Sequence, residues 1–209
     1  MTQIKKQPPS KAGFNRREFL RGSGAAAAAT ALATGGGFSQ AEAAEAAPSV
    51  IGPEPREVTL SVNGQDRKVK VEPRTTLLEV LRYQLDLTGA KPISGDGTSG
   101  GSTVLVNDKP ISASTTLALT CVGKKIRTVE SLGGAQPDAV PLGFLHHDAM
   151  QCGFCTPGFV VAVRAFLDKH PQATEEQIRS GLNGNICRCG TYANVIMAAL
   201  EAVKGGSRG

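Results

Sequence analysis

The chain has 209 residues, a formal net charge of +5, 25 Gly, five Cys and no Trp. That length holds one medium domain or two small ones. Outside the N-terminal stretch, no apolar run approaches the ~18 to 20 residues that cross a bilayer. Residues 1–43 hold six Lys/Arg against Glu18 and Glu42, so they carry +4 and leave the remainder near +1. Neither a nucleic-acid partner nor a stable membrane anchor is expected.

Residues 1–43 read as an export signal. Lys5, Lys6, Lys11, Arg16, Arg17 and Arg21 form a basic head, an alanine-rich run follows, and Ala41–Ala43 offers small residues for cleavage, with a second option at Ala44–Ala46. "NRREFLRG", with Arg16-Arg17 followed by Phe19 and Leu20, resembles the bacterial twin-arginine signal, which implies export of the folded protein to the periplasm. The bland alternative is a disordered basic tail.

Residues 44–56, rich in Pro and Ala, read as a linker. A hairpin comes next: Val58, Leu60 and Val62 alternate, Asn63-Gly64 turns, and Val69 and Val71 alternate again. Leu77, Leu78, Leu81 and Leu85 have helical spacing behind a Thr76/Glu79 capping box. A glycine- and serine-rich loop then leads into a strand at 103–106. Two further strands are expected at 117–121 and 126–129, joined around Gly123. Together these suit a β-grasp domain over residues 57–132.

From residue 133 the pattern is helical. A helix is expected over 138–150. Another has Thr156 as N-cap and Pro157 at its first position, and stops before Pro171. A short one follows a Thr174/Gln177 capping box, and the last starts near Tyr192 and is closed by Gly205-Gly206. The fold class is α+β, with an N-terminal β-grasp domain followed by a helical bundle over 133–209.

Four cysteines form two tight pairs, Cys152/Cys155 in "QCGFC" and Cys187/Cys189 in "NICRCG". C-x2-C with C-x-C can place four thiolates around one centre, which suits Zn²⁺ or an iron–sulfur cluster. Gly153 and Gly190 free the backbone beside each pair. In an exported protein, disulfides between the pairs are the alternative.

"MQCGFCTPGFVVAVRAFL" followed by "GLNGNICRCGTYANVIMAA" resembles the helical 2Fe–2S domain of the xanthine dehydrogenase family of molybdenum hydroxylases. Residues 57–132 resemble the plant-type ferredoxin domain of the same small subunits, and the signal with "CRCGTYANV" points to the periplasmic aldehyde oxidoreductase branch. The resemblance implies one 2Fe–2S cluster on Cys152, Cys155, Cys187 and Cys189, with Gln151 near the molybdenum cofactor. It implies partners too: a large subunit with molybdopterin cytosine dinucleotide and a medium subunit with FAD. The implied role is electron transfer from molybdenum toward FAD or another acceptor. A scaffold or export subunit without electron transfer, or a zinc-binding module, are the alternatives.

In that family a second cluster uses C-x4-C-x2-C and a later fourth Cys. Here Ser94, Ser99 and Ser102 stand at that spacing and Ser114 aligns with the fourth position, so all four places read Ser and no cluster is expected there. The usual relay to the flavin would be interrupted. A coincidental Ser/Gly linker is the alternative. Cys121 reads as a buried inert thiol. His146-His147, on adjacent positions that do not share a helix face, read as surface or packing residues. No nucleophile–base pair or carboxylate dyad is recognisable, so no catalytic residue is assigned.

Overall fold

The computed structural model describes residues 51–205. The export signal, its cleavage sites, residues 44–50 of the linker and Gly206 lie outside them. Strands β1 (Arg56–Val62) and β2 (Gln65–Val71) pair antiparallel, with Val58 opposite Val69 and Val62 opposite Gln65. Their alternation puts Leu60, Val62, Val69 and Val71 on one buried face. Asn63 and Gly64 take φ of 51° and 77°, the two left-handed residues that a two-residue hairpin turn demands. Asn63 also accepts from the Thr128 N–H at 2.8 Å and donates to its hydroxyl at 2.9 Å, which pins the turn to the segment just after Arg127, beside the first strand.

The capping box at Thr76 and Glu79 is present: each residue's side chain accepts the other's backbone N–H. Helix α1 (Leu77–Glu79) widens directly into a π-helical turn, Val80–Gln84. Leu77, Leu78, Val80 and Leu81 bury against the sheet residues Leu60, Val71, Val104 and Ile126.

The sheet order is β2-β1-β5-β3-β4, with β3 (Thr103–Val106), β4 (Lys109–Ser112) and β5 (Lys125–Arg127). The β1–β5 pairing is parallel and the rest antiparallel. Strand β4 was not anticipated from sequence. Pro110 argues against a strand, yet β4 lies at the sheet edge, where a missing N–H is tolerated. Asn107 and Asp108, with φ of 48° and 61°, make its turn.

The strand expected at 117–121 is a correction. Ala118–Cys121 is a 3-10 helix, and only Leu117 makes a bridge, to Thr76. The burial period explains it: Ala118 and Cys121, three apart, are buried while Leu117 is exposed. The strand expected at 126–129 covers Lys125–Arg127, and Val129–Leu132 forms a second 3-10 turn.

Four helices follow: α2 (Ala139–His146), α3 (Thr156–Lys169), α4 (Glu175–Gly181) and α5 (Tyr192–Gly205). Asp138 caps α2 by accepting from the Val140 N–H at 2.8 Å, and the Thr174/Gln177 box caps α4. The N-cap expectation for Thr156 is corrected: Cys155 holds that position, Thr156 is the first helical residue, and Pro157 lies within the first turn. Phe144, Phe159, Val163, Ile178, Val195 and Ala199 form a second apolar core.

Strand β3 joins the two cores. Val104 and Val106 face the first and Leu105 the second, so this strand is buried on both sides. Beyond it, Arg164 in α3 is 7% exposed and ion-paired to Asp138 at 3.4 Å and Asp168 at 2.9 Å. Gly158 lies against the Gly100 carbonyl, and any Cβ there would collide with backbone. The serine-rich loop therefore rests directly on the first turn of α3.

Candidate metal centre

Cys152 and Cys155 lie on the turn entering α3, and Cys187 and Cys189 on the loop between α4 and α5. Gly153 at φ 78° and Gly190 at φ 83° bend the chain beside each pair, as expected from sequence. All four are free thiols, Cys155 and Cys187 buried, Cys152 and Cys189 exposed. The chain brings them together as two interacting couples, Cys155 with Cys187 and Cys152 with Cys189.

Within each couple the environment shifts the two thiols in opposite directions. Burial first raises Cys155, and the neighbouring Cys187 adds to it, pushing the thiol up to about 12. Cys187 is also raised by burial, but the Thr191 hydroxyl and N–H, the Cys155 thiol and the Gly190 N–H outweigh it and bring it down to about 7. Cys152 is lowered by the Phe154 N–H and by Cys189. For Cys189 the Cys152 N–H lowers the value, but the Cys152 side chain, burial and neighbouring sulfur charge together raise it.

This donor set passes a chemical test for a soft, anionic centre. Four free thiols lie in two neighbouring couples, though among the described residues no three of them gather around a single metal-ion position, and backbone N–H groups of Phe154, Gly190 and Thr191 reach Cys152 and Cys187. Such donors stabilise the negative charge of a thiolate-bound centre. Thr156 Oγ1, immediately after Cys155, is a buried hydroxyl without a protein partner. The rim is apolar and open: Met150, Phe154 and Ile186 are exposed, and Lys91 Nζ lies 5.8 Å from the Phe154 ring centroid. Gln151 is exposed beside Cys152.

The serine loop lies next to this centre. The Ile186 N–H donates to the Ser99 carbonyl at 3.0 Å, and Asn185 Nδ2 donates to the Gly100 carbonyl at 3.0 Å. Ser94 and Ser99 hydroxyls are 2.8 Å apart, and Ser102 and Ser114 hydroxyls 2.9 Å apart. The four sequence-matched serines thus meet in two bonded pairs. Ser112, unnoticed in the sequence, lies 2.9 Å from Ser114 and 3.2 Å from Ser102, closing a ring of three hydroxyls.

Elsewhere, Cys121 is buried and burial raises its thiol. His146 and His147 share one partner after all: His146 Nδ1 meets Glu201 Oε1 at 2.6 Å and His147 Nε2 meets Oε2 at 2.7 Å. They can do so because His147 is the C-cap of α2, outside the helical repeat. Residues that sequence reasoning passed over are Asn185, Thr191 and Tyr192. Their polar side chains within "NICRCGTY" were the available signal.

Residues 128–200 match the 2Fe-2S binding domain family, and residues 13–33 match the twin-arginine translocation pathway signal sequence. The aldehyde oxidoreductase iron-sulfur-binding subunit PaoA of Escherichia coli strain K12 is 37% identical, over 97% of this chain and 93% of its own length. The chain belongs to the iron–sulfur small subunits of the molybdenum hydroxylase family. Another such subunit, the nicotine 6-hydroxylase small subunit of Paenarthrobacter nicotinovorans, is 38% identical over 70% of this chain and 88% of its own. The crystal structure of quinoline 2-oxidoreductase from Pseudomonas putida 86 superposes with a TM-score of 0.70 at 34% identity, covering 74% of this chain and 98% of that one. As a member of this family the chain is a subunit of an oxidoreductase complex. No helix among the described residues is long and apolar enough to cross a membrane.

Proposed function

We propose that Cys152, Cys155, Cys187 and Cys189 hold one 2Fe–2S cluster, and that the chain serves a periplasmic, molybdenum-dependent aldehyde oxidoreductase. The observation that carries this reading is the pairing of four free thiols into two neighbouring couples, a spacing that suits a two-iron centre, with backbone N–H donors on Cys152 and Cys187. When bound, the cluster would supply one-electron storage and transfer. The chain's own contribution is to fix the four sulfurs, to bury Cys155 and Cys187, and to leave Cys152 and Cys189 at an open apolar rim. That rim suits a partner carrying the molybdenum cofactor, with Gln151 beside it. A second partner carrying FAD follows from the family resemblance. The likeness to the PaoA subunit over nearly the whole chain supports aldehydes as the substrate class.

The former second site is read as metal-free. Hydroxyls are hard donors and resist deprotonation, so Ser94, Ser99, Ser102 and Ser114 supply no soft ligand. Their hydrogen bonds to one another already satisfy them. In domain terms, residues 57–132 form a β-grasp domain without a cluster, residues 133–209 the helical cluster domain, residues 1–43 the signal and 44–56 the linker. Iron and labile-sulfide analysis of the purified complex tests the assignment. Two irons and two sulfides per copy of this chain are expected; zinc in their place overturns the cluster, and four irons overturn the reading of the serines.

A further inference from the structure

The turn after the second cysteine pair grips Cys187 at both ends. Thr191, 5% exposed, donates its hydroxyl to Cys187 Sγ across 3.2 Å. Tyr192 accepts the Cys187 N–H at 2.8 Å through its phenol oxygen. The Tyr192 ring is held edge-on to the buried Phe159, centroids 6.1 Å apart at 80°. Of the four paired cysteines, Cys187 alone has a hydroxyl hydrogen-bonded to its sulfur among the described residues. One ligand of the four is therefore chemically distinct from the rest.

We infer that Thr191 is a positioning and tuning residue that sets the reduction potential of the centre through its hydroxyl on Cys187 Sγ. This rests on the cluster assignment above. Reduction of a 2Fe–2S centre adds one electron and no bond is made or broken; the added charge spreads onto the ligand sulfurs. A hydrogen bond to such a sulfur is stronger in the reduced state, so it favours reduction and raises the potential. Burial of the Thr191–Cys187 pair amplifies the effect, because the local dielectric is low. A centre raised in this way accepts electrons more readily from its partner. Thr191 is placed to do this without touching the exposed rim where a partner would dock.

The test is an EPR-monitored redox titration of the assembled complex carrying Thr191→Val, which keeps the side-chain shape and removes the donor. At a fixed ambient potential the reduced-to-oxidised ratio should fall about three- to tenfold, tenfold corresponding to ~59 mV for one electron. Thr191→Ser should restore the wild-type ratio. A Thr191→Val centre that titrates with wild type overturns the inference. So does a Val variant that loses its iron while Ser retains it, because the hydroxyl would then hold the cluster rather than tune it. Failure of the underlying assignment looks different: wild type itself would lack iron and sulfide and give no cluster EPR signal.

Discussion

Ser102→Ala examines whether the serine loop is held by hydroxyls rather than by metal. Ser102 is 3% exposed; its hydroxyl lies 2.9 Å from that of Ser114 and 3.2 Å from that of Ser112, and accepts the Ser114 N–H at 3.3 Å. The three hydroxyls form a closed ring in which each can donate once and accept once. Truncation removes two of the three ring bonds, sparing only the one between Ser112 and Ser114, and leaves the Ser114 N–H without its acceptor in a site with little access to water. Two lost bonds at about 0.5 kcal/mol each and an orphaned buried donor at about 1 kcal/mol together cost about 2 kcal/mol. For a chain of this size each kcal/mol moves the melting temperature by about 2 to 4 °C, so scanning calorimetry of the purified subunit should record a drop of about 4 to 8 °C. Ser94→Ala is the control. The Ser94 hydroxyl bonds that of Ser99 and accepts the Ser99 N–H at 3.0 Å, but Ser99 is half-buried, water can replace both bonds, and the drop should stay below about 4 °C. If Ser102→Ala melts within about 1 °C of wild type, or if the two variants fall equally, the ring does not hold the loop.

Two further outcomes are expected. In iron-free protein near pH 8, iodoacetamide followed by mass spectrometry should label exposed Cys152 first, because the Phe154 N–H and Cys189 lower its thiol, and Cys155 and Cys121 last, because burial raises both; uniform labelling of all five would refute the arrangement. Glu201 is held below its ordinary 4.5 by the hydrogen bond to His146 first and then by His147, so its stabilising contribution is fully present above about pH 4.5 and fades as pH falls through the depressed value. The melting difference between wild type and Glu201→Gln should accordingly shrink on acidification, and a difference that stays constant from about pH 6 to 3 would count against the pairing.

Local chemistry was legible where one residue decides it. The Asn63-Gly64 turn and both capping boxes follow from backbone preferences that act within a few residues. Alternation located β1 and β2 for the same reason, and β3 stood out as a short apolar run after the glycine- and serine-rich loop. It misled at 117–121, where apolar residues follow a three-residue period that a short window confuses with a strand. It also overlooked β4, because whether Pro110 is tolerated depends on a strand's place in the sheet, and that place is set by distant pairing.

The cysteine pairs, the serines at Ser94, Ser99, Ser102 and Ser114, and the family were legible in the chain alone. Residue type and spacing are properties of the chain before it folds. What surrounds them came from packing: Thr191 on the Cys187 sulfur, Ser112 completing the hydroxyl ring, and Ile186 and Asn185 tying the serine loop to the segment of the second cysteine pair. Those contacts join segments up to 87 residues apart, as Ser99 and Ile186 are in their hydrogen bond. Sequence spacing carries no information at that range, because the distance between such segments is fixed by how β3 and α3 pack across two cores.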